Sequence, residues 1–90
     1  MDYKETLKKA IDTYSPMLQS VVAMEEMGEL IQEISKDLRG KGDVQKMAEE
    51  IADVQIMLDQ LMIMHDCGEA VDEFKFAKFI RLRNRLEGKE

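Results

Sequence analysis

The stretch VQKMAEEIADVQIMLDQLMIMHD, residues 44–66, decides the fold. Met47, Val54, Met57, Leu61 and Met64 recur at the spacing of one helical face, and Ala52, Ile56 and Ile63 mark a second apolar arc. A helix that is apolar on two sides has to be covered on two sides. One small protomer does that poorly, so the pattern predicts an assembly of two or four copies. Glu50 falls inside the main stripe, and Asp53 sits at its edge beside Met57 and Met64. A carboxylate turned into a helix–helix seam needs a partner, a proton or a metal, because burying it unpaired is costly.

A second acidic cluster, Glu25-Glu26-Met27-Gly28-Glu29, lies in the preceding helical segment. Glu26 and Glu29 lie about 60° apart on that helix, and Glu50 and Asp53 do so on theirs. Carboxylates from two neighbouring helices can converge on one point, and an all-oxygen donor set suits a hard divalent cation. Glu33 and Glu49 read as ordinary surface acids in a chain of which 36% of residues are charged.

Outward from these clusters the chain reads as all-α: a short first helix and three longer ones in a single domain over residues 1–90. The first helix covers residues 2–13, with Tyr3, Leu7, Ala10, Ile11 and Tyr14 as its stripe. Ser15-Pro16 is an N-cap followed by proline at the first helical position, and opens a helix that runs to Leu38. Its expected core face is Met17, Val21, Met24, Leu30, Ile31, Ile34 and Leu38. On the opposite arc Leu18 and Val22 align with Glu25, Glu29 and Glu33, as either the wall of a ligand pocket or a subunit contact. Arg39-Gly40-Lys41-Gly42 breaks the pattern, and Asp43 can cap the third helix. His65 fits a helix C-terminus, Gly68 suits a helix stop, and the fourth helix runs over residues 69–87. No catalytic Ser-His-Asp or Cys-His arrangement can be assembled from this sequence.

The net charge of −6 argues against a nucleic-acid polymer as partner. The single Cys allows no internal disulfide, and no apolar run reaches membrane-spanning length, so the expected setting is the cytoplasm, with no membrane partner. Charge is uneven along the chain. Lys78, Arg81 and Arg85 share one arc of the fourth helix, either as a solvated basic face or as a clamp for a polyanion such as a triphosphate.

Glu25-Glu26-x-x-Glu29, twenty intervening residues and Glu50-x-x-Asp53 together resemble the paired acidic signature of the MazG-like all-α nucleoside triphosphate pyrophosphohydrolases. Glu49-Glu50-Ile51-Ala52-Asp53-Val54 is similar to the family's second motif helix, and Lys78-x-x-Arg81-Leu82-x-x-Arg85-Leu86 to the basic segment of its short members. Gln19, six residues before Glu25, matches a glutamine often found there. The resemblance implies a four-helix domain working as a homodimer or homotetramer. It implies Mg²⁺-dependent hydrolysis, with Mn²⁺ as an alternative ion, of a (d)NTP to the monophosphate and pyrophosphate. It further implies Glu26, Glu29, Glu50 and Asp53 as metal ligands, Glu25 in the first acidic place of the motif, and Lys78, Arg81 and Arg85 on the phosphates. Gln19, Leu18 and Val22 complete the expected substrate site. Phosphoribosyl-ATP pyrophosphohydrolases share the scaffold, but their second motif continues with a Tyr-His pair where this chain has Val54-Gln55-Ile56-Met57-Leu58. A non-catalytic helical oligomer, or a protein that binds nucleotide or metal without turnover, is the alternative.

Overall fold

Ser15 and Asp43 are placed to start helices, and in the computed structural model, which describes residues 1–89, both do so. Four helices are present: α1 (Tyr3–Tyr14), α2 (Pro16–Leu38), α3 (Val44–Met64) and α4 (Gly68–Leu86), and no strand is present among the described residues. Asp2 caps α1 by accepting from the Glu5 N–H, Ser15 Oγ accepts from the Leu18 N–H at 3.2 Å, and Asp43 accepts from the N–H groups of Gln45 and Lys46. None of the helices is long and apolar enough to cross a membrane, among the described residues.

Three of the helices end in the same way. After α2 the Gly40 N–H bonds the Asp37 carbonyl and the Lys41 N–H reaches back to Lys36, with Gly40 at φ 76°. The pattern recurs after α4, where Gly88 holds the left-handed position, and after α3, where Asp66 holds it at φ 48°. The sequence pattern places the stop after α3 at Gly68. Gly68 instead opens α4, because Asp66 already supplies the reversal. Gly42 has a different job. A Cβ there would lie 2.8 Å from the Asp37 Cα, so the α2–α3 turn closes only around a bare backbone. Gly42→Ala is therefore expected to destabilise the fold by about 1–3 kcal/mol, measured by chemical denaturation, through backbone displacement at the turn.

α2 and α3 form an antiparallel hairpin that carries most of the packing, and α1 lies across both. The buried apolar set among the described residues is short: Leu7 and Ile11 from α1, Ala23 from α2 and Met57 from α3. The Tyr3 hydroxyl donates to Asp59 and ties the start of α1 to α3. Ile63 lines a shallow groove with Tyr3 and Leu7, so α1 covers part of the second apolar arc of α3, while Ile56 stays open.

Two expectations are overturned by the way α2 is turned. Its face against α3 is Gln19, Ala23 and Glu33, with Glu26 and Leu30 part-buried. Of the expected core face only Leu30 takes part. Met17, Met24, Ile31 and Leu38 are 74%, 64%, 65% and 82% exposed, and Val21 and Ile34 are exposed as well. Glu33, expected at the surface, is 6% exposed. It lies in the seam and pairs with Lys36 at 3.4 Å.

α4 stands apart. Among the described residues it meets α3 and neither α1 nor α2, and it buries no residue. All three Phe of the chain, Phe74, Phe76 and Phe79, are on it and more than half exposed. The radius of gyration, 16.3 Å, exceeds the value of about 12 Å expected for a compact chain of this length.

Candidate metal centre

The buried Gln19 Nε2–Gln60 Oε1 hydrogen bond, 2.8 Å long, fixes the antiparallel register of α2 on α3. One seven-residue step along each helix from that pair brings Glu26 opposite Asp53, and a second step brings Glu33 opposite Lys46. The seam is thus layered, with an amide pair at one end, carboxylates in the middle and paired charges at the other end.

Glu50 is the centre of the carboxylate layer and is 2% exposed. Its Oε1 lies 3.0 Å from Lys46 Nζ, while its Oε2 is buried with no hydrogen-bond partner. Glu26 Oε2 is buried and unpartnered too. Glu26, Glu29 and Glu50 each offer an oxygen within 4.8 Å of the others, and Glu49, Glu50 and Asp53 form a second such group. Glu50 belongs to both.

Crowding shows at Glu26. The Glu26 carboxyl is held above its ordinary pKa, first by removal from water, then by the negative charges of Glu29 and Asp53, a hydrogen bond with Glu29 and the charge of Glu50. Lys46 is held above its ordinary value by its bond to Glu50 and by the charges of Glu49 and Glu50, against a smaller effect of burial. Folded-state elevation of an acid's pKa stabilises the protein at low pH, and that contribution disappears as pH rises through the elevated value. In metal-free buffer at pH 7, Glu26→Gln is therefore expected to melt above the wild type. The gap should close as pH falls through the Glu26 titration. A variant no more stable than wild type at pH 7 would contradict the crowding.

The fit to a cation can be judged from these atoms. Two buried carboxylate oxygens lack a hydrogen-bond partner, and both converging groups among the described residues are made of carboxylates alone, a set suited to Mg²⁺, Mn²⁺ or Ca²⁺. Of the residues expected from the sequence, Glu26, Glu29, Glu50 and Asp53 are brought together as two overlapping groups. Glu25 is exposed and outside both groups, and Glu49 joins the second one. Gln19 is buried at the amide end, one helical turn from Val22, which is part-buried, while Leu18 is exposed. Lys78, Arg81 and Arg85 lie exposed on α4, which does not contact α2.

Two residues of the seam, Gln60 and Lys46, do not stand out in the sequence as site residues. Gln60 interrupts an apolar stripe much as Glu50 does, and that is the signal that could have found it. Lys46 sits four residues before Glu50, a spacing common on any charged helix. Compared with family models, with curated proteins and with solved structures, the chain matches none.

Proposed function

We propose that the chain is a MazG-like, divalent-metal-dependent nucleoside triphosphate pyrophosphohydrolase that works in the cytoplasm as a homodimer or homotetramer. The observation that carries this reading is the unpartnered Oε2 of Glu50, buried among carboxylates of a second helix. Glu26, Glu29, Glu50 and Asp53 would hold the ion. A hard divalent cation there supplies neutralisation of phosphate charge and an acidified water. The chain's residues do the rest. The hairpin fixes the carboxylates before substrate arrives, Glu25 fills the first acidic place of the motif, and Lys78, Arg81 and Arg85, brought to the seam by assembly, bind phosphates.

Assembly enters the proposal because a lone protomer leaves the apolar arc of α2 and the phenylalanines of α4 in water. A panel of canonical and modified (d)NTPs with Mg²⁺, assayed for both pyrophosphate and orthophosphate, tests the activity. Pyrophosphate release is expected. A folded protein that neither turns over nor binds any member overturns the proposal. One observation favours a second reading, a binder without turnover: α4 and its cations do not reach the acidic seam within one copy. Saturable nucleotide binding without product would select it.

A further inference from the structure

The two oxygens of Glu50 are divided between two environments. Oε2 is buried without a partner, while Oε1 is held by Lys46. An acidic cluster alone does not define a ligand site; here the second observation is that this orphaned oxygen belongs to a side chain almost fully buried. Lys46 is oriented the other way. Its side chain is 46% exposed, and beyond Glu50 its ammonium approaches Glu49 at 3.9 Å. An ammonium carries three donors, so this one keeps capacity facing solvent at the edge of the carboxylate group.

Helix stability alone is a weak account of Lys46. Acid before base at a spacing of four is the more stabilising order along a helix, and here the base comes first. Lys46 also lies in the first turn of α3, where the helix dipole disfavours a cation and favours an anion. Within one copy, Lys36 pairs with Glu33 and not with Glu50, and the basic residues of α4 lie on a helix that does not touch α2.

We infer that Lys46 is a phosphate-binding residue of this site: it stays on Glu50 Oε1 and receives the phosphates of a polyphosphate substrate whose divalent cation is held at Oε2 by Glu26, Glu29 and Glu50. The inference rests on the metal-site reading above. It gives the substrate a direction, with the polyphosphate toward the N-terminus of α3 and the remainder toward the Gln19–Gln60 end of the seam.

The test uses the full chain, Mn²⁺ followed by electron paramagnetic resonance, and inorganic triphosphate as a probe without a base. Lys46→Met is expected to bind Mn²⁺ alone as tightly as wild type or more tightly, because a competing positive charge is gone. Its affinity for triphosphate in the presence of Mn²⁺ is expected to fall about ten- to a hundredfold, the loss of one charge-assisted contact. Lys46→Arg should recover most of that loss. Lys46→Gln repeats the measurement if the methionine variant loses its helical circular dichroism. Unchanged triphosphate affinity overturns the inference, and so does a parallel fall in Mn²⁺ affinity, which would make Lys46 only a support for Glu50. Wild-type protein that binds no Mn²⁺ overturns the metal-site reading itself, and this inference with it.

Discussion

Glu50→Gln is expected to keep the helical circular dichroism of the wild type and to lose Mg²⁺-dependent hydrolysis by more than about a hundredfold. The substitution preserves shape and leaves an amide oxygen that can still accept from Lys46. What it removes is the negative charge of the side chain shared by both carboxylate groups. A neutral amide is a poor ligand for a hard dication, so the thermal stabilisation of the wild type by Mg²⁺ should vanish together with activity. In metal-free buffer the variant is expected to be at least as stable as wild type, since the repulsion between a buried carboxylate and the surrounding acids is removed while Lys46 keeps a hydrogen-bond acceptor. Full activity in a folded Glu50→Gln protein would remove the metal-site model. Loss of folding without metal would show that Glu50 and Lys46 hold the hairpin together.

Much of this site can be read from the sequence because its central residue breaks a rule. Glu50 occupies an apolar position in a helix whose other seam residues include Met57 and Leu61, and that misplacement alone singles it out. Helix starts are equally legible, since Ser15-Pro16 and Asp43 are capping residues acting through local hydrogen bonds. The end of α3 is less so: Asp66 can adopt the left-handed conformation usually given to glycine, and nearby Gly68 is the more obvious stop.

What the sequence could not supply was the relative rotation of α2 and α3. The Met17–Leu38 arc has the same periodicity whether its own chain or another copy covers it. Once the Gln19–Gln60 pair fixes the register, Glu33 and Lys46 fall into the seam. Without that register they are ordinary charges on helices. The reach of α4 is hidden for the same reason, because its placement depends on the angle of a turn and on no periodicity of its own.

Assembly gives the second large effect. Met17, Met24, Ile31 and Leu38 recur every seven residues along α2, on the side away from the buried seam of Gln19, Ala23 and Glu33. Such a stripe is a coiled-coil-like surface, and four buried apolar residues make a thin core for a chain of this length. The wild type is therefore expected to sediment as a dimer or larger species at micromolar concentration, with a melting temperature that rises with protein concentration. Ile31→Lys should dissociate or unfold it, because a lysine would then face the partner's apolar stripe. Gly28 supplies a test whose sign decides. It lies in mid-helix between Met24 and Ile31, and a Cβ there would meet nothing within its own protomer. If α2 faced only water, Gly28→Ala should stabilise the protein by about 0.5–1 kcal/mol through helix propensity alone. If a second copy packs closely across this point, the added methyl intrudes on the contact and the same substitution should destabilise, with the dissociation midpoint moving to higher protein concentration. A monomeric wild type together with a stabilised Gly28→Ala variant would rule out α2 as the subunit interface.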